Sequence, residues 1–99
     1  MQYSFTGFSI DEDQKYKHIK LIITKGTFQL NGSFHVTVPI SPITQESEVF
    51  ISLNTFKGTP GFPPLVIKKG DHEFIVTGSH GDLSIYNYTV FTYSLMENN

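Results

Sequence analysis

Apolar and polar positions alternate along most of this chain in short runs, and glycine, proline and Asn-Gly steps interrupt them. The first run, Tyr3 to Ile10, changes parity between Tyr3, Phe5 and Phe8, Ile10, which predicts a strand with a bulge at Gly7. Asp11-Glu12-Asp13-Gln14-Lys15 reads as a polar connection. His18 to Lys25 carries the nearly continuous apolar core Ile19-Lys20-Leu21-Ile22-Ile23-Thr24, as a strand covered on both faces would.

After the break at Lys25-Gly26, Thr27-Phe28-Gln29-Leu30 and Ser33-Phe34-His35-Val36-Thr37-Val38 flank Asn31-Gly32. Asn-Gly between alternating runs predicts a two-residue hairpin, because a type I′ turn needs positive φ at both central residues. Phe28, Leu30, Phe34, Val36 and Val38 then face the core, and Gln29, His35 and Thr37 face away. Pro39 and Pro42 end the pairing, since proline cannot donate to a ladder. Thr44 to Glu48 is loop, and Val49 to Leu53 is a strand with Val49, Ile51 and Leu53 inward and Phe50 on the other side. Phe56 to Pro64, rich in glycine and proline, is the longest loop.

Two further β-patterned runs, Leu65 to Thr77 and Leu83 to Leu95, flank Ser79-His80-Gly81-Asp82 and predict a closing hairpin. Both parities of the last run are apolar: Leu83, Ile85, Phe91, Tyr93 and Leu95 on one, Tyr86, Tyr88 and Val90 on the other. The pattern alone leaves open which face is buried. The whole predicts an all-β chain, an antiparallel β-sandwich or jelly roll of seven or eight strands in two sheets, with residues 1–99 forming one domain.

Composition narrows the chemistry. The 99 residues include no Arg, Ala, Cys or Trp, and the net charge is -2. Lack of Arg removes bidentate phosphate recognition, and the acidic balance gives no general attraction to nucleic acid or an anionic membrane. Lack of Cys excludes disulfides, thiolate catalysis and Cys-based zinc sites. No basic leader and no long apolar run is present, so no membrane insertion is expected. His18, His35, His72 and His80 show no metal-binding spacing, and Asp11-Glu12-Asp13 lacks the remaining features of an EF-hand, so neither metal nor cofactor is expected. No nucleophile motif is present, and the scattered carboxylates have little surface on which to build a cleft. Catalytic residues are therefore not assigned, and a small hydrolase is the least favoured reading.

The aromatic residues are in excess of what one small core holds. Tyr86 and Tyr88 are candidates for a subunit or partner interface, for carbohydrate contact, or for ordinary packing. Phe56 and Phe62 either pin their own loop or form a binding loop on a rigid sheet scaffold.

The segment Pro63 to Ile85 consists of a proline-led strand, the Lys69-Gly70-Asp71 turn, Phe74-Ile75-Val76-Thr77-Gly78 and the return Asp82-Leu83-Ser84-Ile85. It resembles the C-terminal hairpin of tailed-phage distal-tail, baseplate and receptor-binding proteins. It departs from them where Tyr86 to Phe91 runs on without a basic or tryptophan-bearing end. The resemblance implies a galectin-like or jelly-roll sandwich, free-standing or excised from a larger protein, and a non-enzymatic virion component of tail, baseplate or fibre. It also implies a homo-oligomer, contact with other virion proteins and with host-surface glycan, and assembly in the host cytoplasm. The alternative is a monomeric carbohydrate-binding module using Tyr86, Tyr88 or the Phe56 to Phe62 loop.

Overall fold

A computed structural model describes residues 1–10 and 16–97, with side chains placed for residues 1–5 and 20–93. The described residues contain seven strands and no helix: β1 (Gln2–Ile10), β2 (Tyr16–Gln29), β3 (His35–Pro39), β4 (Glu48–Thr55), β5 (Val66–Lys69), β6 (Glu73–Thr77) and β7 (Ile85–Glu97). They form two antiparallel sheets, ordered β1-β2-β7-β4 and β3-β6-β5, which make the expected β-sandwich. The connection 11–15 lies outside the described residues.

The long strands β2 and β7 pair over thirteen positions, from Lys17 opposite Glu97 to Gln29 opposite Ile85. Residues directly opposite each other share a face, so this register settles the two-sided pattern of β7. Tyr86, Tyr88, Val90 and Thr92 turn toward the second sheet, while Ile85, Phe91 and Tyr93 lie on the outer face. Between the sheets, Phe28 stacks on Tyr86 with centroids 5.7 Å apart and meets Phe74 edge-on at 6.1 Å. Phe74, Val76 and Val90 are wholly buried at the centre of this contact.

Gly26 is inside β2, so Lys25-Gly26 does not break the strand. It pairs with Tyr88, whose ring lies across it, and a Cβ at this position would come within 2.6 Å of Tyr88 Cζ. Glycine is needed here for close approach of the ring, the reading that a strand-interior glycine invites. The ring is then free to meet Phe74 edge-on at 5.5 Å.

Five local expectations are corrected. β1 pairs with β2 without a register shift at Gly7, so there is no bulge at that position. Asn31-Gly32 does not close a hairpin, because β2 and β3 belong to different sheets; Gly32 has the positive φ the signal demands, but its amide donates to the Asp82 carbonyl at 3.0 Å. Phe34, beyond this crossing, is exposed. Ser79 to Asp82 likewise carries the chain from one sheet to the other, and the local hairpin is β5–β6, closed by Gly70 N–H donating to the Glu73 carbonyl. Leu53 is exposed although Val49 and Ile51 pack on the core, since the second sheet does not extend over that end of β4.

Candidate functional site

The segment from Phe56 to Pro64 folds back against β4 and frames an open groove of about 410 Å³. Phe56, Phe62 and the Pro60, Pro63 and Pro64 rings form its wall, with Ile51 and Leu53 of β4 and the ring of Tyr86 at its base. Pro64 and Tyr86 are buried, whereas Phe56 and Phe62 are 65 and 46 % exposed. Proline pre-sets φ and restricts the residue before it, so this loop loses less entropy on being held in one shape than a glycine-serine loop would.

The loop is fastened from beneath by the turn 78–84. Ser84 Oγ accepts from Lys57 N–H at 2.8 Å and donates to the Lys57 carbonyl at 3.0 Å. Thr59 N–H donates to the Gly81 carbonyl at 3.0 Å, and Gly61 N–H donates to Ser79 Oγ at 2.6 Å. Gly58 pairs opposite Asp82 with φ of 85°, and a Cβ added to it would run into the Gly81 carbonyl oxygen, so this crossing requires glycine.

Asp82, with no exposed surface, organises the turn. Its Oδ1 accepts from Ser84 N–H at 2.9 Å and its Oδ2 from the Tyr86 hydroxyl at 2.8 Å. Burial alone would raise the Asp82 carboxyl, but the hydrogen bonds from the Ser84 amide and the Tyr86 hydroxyl outweigh it and hold the group below the usual aspartate range. Tyr86 is pushed up, first by burial and then by its bond to, and the charge of, Asp82. The same ring therefore anchors the turn through its hydroxyl and floors the groove through its face.

Three of the four candidate aromatics thus meet at one place: Phe56, Phe62 and Tyr86 line the groove. Tyr88 does not, since it packs between Gly26 and Phe74 in the interior. Asp82 and Ser84 were missed as determinants of the site, their signal being only that both are small polar residues beside a glycine turn and in phase with the inward parity of β7. Of the histidines, His35, His72 and His80 are exposed, and His18 lies outside the described side chains. Among the described residues no three His, Asp or Glu side chains converge.

A four-on-three sandwich with a proline-walled aromatic groove at its surface defines an all-β domain as the class. Comparison with protein families assigns it more narrowly: residues 23–91 match the model of the K1 capsule-specific polysaccharide lyase C-terminal domain. The match covers well over half of the chain, and the chain belongs to that family. It is thereby a tail-spike-related C-terminal domain, in keeping with the resemblance of its C-terminal third to phage tail proteins. The match runs from the middle of β2 to Phe91 and so includes the whole groove and the turn beneath it. Comparison with curated proteins and with solved structures gives no match.

Proposed function

We propose that this chain is a non-enzymatic adsorption component of a phage virion, and that the Phe56–Phe62 groove binds host-surface polysaccharide. The groove carries this reading. Pyranose rings present apolar C–H faces, and exposed aromatic rings on a rigid loop are suited to stack on them. The only titratable side chain on the groove wall is Tyr86, whose hydroxyl is committed to Asp82, so the lining supports holding a chain better than cleaving one. Family membership supplies the class of ligand, since the namesake protein acts on a capsule polysaccharide.

The test is calorimetric titration of the protein with a panel of capsular polysaccharides and their oligosaccharides. Binding is expected to one of them, weakened at least tenfold by Phe56→Ala or Phe62→Ala with little change in the urea midpoint. Absence of binding across the panel, or binding indifferent to both substitutions, would defeat the groove assignment. Appearance of unsaturated sugar ends during incubation would defeat the non-enzymatic reading.

A further inference from the structure

The turn 78–82 that fastens the groove loop is flanked on its other side by the crossing 31–34. On the groove side, Gly58 bridges antiparallel to Asp82 and Thr59 N–H donates to the Gly81 carbonyl, so Pro60 of the groove wall runs alongside His80. On the far side, Gly32 N–H donates to the Asp82 carbonyl and Gly78 N–H to the Phe34 carbonyl. Three segments thus lie side by side at this end of the sandwich, with the turn in the middle. Phe34 is 63 % exposed and His80 is exposed beside it, their ring centroids 6.1 Å apart and their planes tilted by 31°.

We infer that Phe34 and His80 form a second saccharide subsite, which takes further units of the same polysaccharide chain that the groove holds. This subsite presupposes that the groove binds polysaccharide, and it extends the site rather than replacing it. Neighbouring extended segments lie ~4.8 Å apart, so the crossing is roughly 10 Å from the groove loop, a step that a disaccharide covers. A chain leaving the groove over Pro60 therefore meets His80 and then Phe34.

The Phe34 ring is held in place without being needed there. Main-chain bonds fix residues 32 and 34, and a Cβ on Gly78 would run into the Ser33 carbonyl oxygen, so the crossing is packed through its backbone. A ring left so far exposed adds little burial to the fold. The chemistry around the pair selects the occupant. Asn31, Ser33 and Thr59 are exposed beside the rings, and Asn31 Oδ1 accepts from Ser33 N–H at 3.0 Å, which orients the amide. Residues 31–34 and 78–83 expose neither a carboxylate nor an ammonium group. Aromatic faces bordered by an oriented amide and hydroxyls match a pyranose, with its apolar C–H face and its rim of hydroxyl groups. A charged partner finds nothing here to pair with.

Calorimetric titration of the intact chain with capsular disaccharides and with octasaccharides of the same repeat tests it. The octasaccharide should bind more tightly than the disaccharide. Phe34→Ala and His80→Ala should each weaken the octasaccharide by about threefold to tenfold, leave the disaccharide unchanged and leave the urea midpoint in place. Phe56→Ala should weaken both lengths. Octasaccharide binding that is lowered by Phe56→Ala but indifferent to Phe34→Ala and His80→Ala would overturn the subsite and leave the groove standing. Loss of both lengths on Phe34→Ala, with Phe56→Ala and Phe62→Ala silent, would overturn the groove and make Phe34 and His80 the site itself. Absence of binding to every oligosaccharide would overturn both.

Discussion

Replacing Asp82 by alanine removes the acceptor of two buried donors, the Ser84 amide and the Tyr86 hydroxyl, at a position with no exposed surface. Each orphaned donor costs about 1–3 kcal/mol, and relief of the buried charge returns part of that, so the net loss is about 2–4 kcal/mol. A domain of this size has a total stability on the order of 5–15 kcal/mol, so the loss is a large share of it. With a urea dependence of about 1.5 kcal/mol/M, the unfolding midpoint should fall by roughly 2 M. Asp82→Asn discriminates between hydrogen bonding and mere filling of space. Its side chain still accepts from Ser84 N–H, and the Tyr86 hydroxyl can turn to accept from the amide, so it should cost only about 1 kcal/mol. The assay is urea unfolding followed by tyrosine fluorescence and far-UV circular dichroism. A midpoint shift below about 0.5 M for the alanine variant, or equal shifts for alanine and asparagine, would refute the account of Asp82 as a hydrogen-bonded hub.

The same pair sets two pH limits. The depressed folded-state pKa of Asp82 contributes stability above the ordinary aspartate value of about 3.9, lost as pH falls through the lower folded value. The raised pKa of Tyr86 contributes stability that is complete below pH ~10 and lost as pH rises through the folded value. The stability gap between the wild type and a Tyr86→Phe, Asp82→Asn double variant should therefore be flat through neutral pH and shrink at both ends; a gap that grows at either end would contradict the assignment. Gly26→Ala should cost about 1–3 kcal/mol by driving a methyl into the Tyr88 ring, which Phe74 prevents from yielding, and should cost much less in a Tyr88→Ala background. Additive losses in that cycle, read from urea midpoints, would show that the ring does not press on Gly26.

The structure also shows where local signals stop. Lys69-Gly70-Asp71 was legible as a turn between neighbouring strands because everything that closes it lies within a few residues. Asn31-Gly32 carried an equally strong local signal, and Gly32 takes the backbone conformation that signal specifies, yet the bonds go to residues fifty positions away. Positive φ is a property of the residue, whereas the identity of the paired strand is not. For the site, Phe56 and Phe62 stood out as loop aromatics, but nothing in their spacing linked them to Tyr86, which a cross-strand register and the Asp82 bond bring beneath them.

The sequence by itself determined that this chain is built of strands, with core residues alternating along them and glycine and proline at the breaks, because those preferences reside in backbone sterics and in period-two burial. It also determined that aromatic residues exceed the capacity of one small core. Only the tertiary structure decided which parity of β7 is buried, because that choice depends on Gly26 giving Tyr88 room and on Phe74 meeting the ring from the other sheet. The division of the surplus aromatics between a groove and an outer sheet face was decided the same way. It follows from a strand register fixed jointly by β1, β2, β4 and β7, which no single segment encodes.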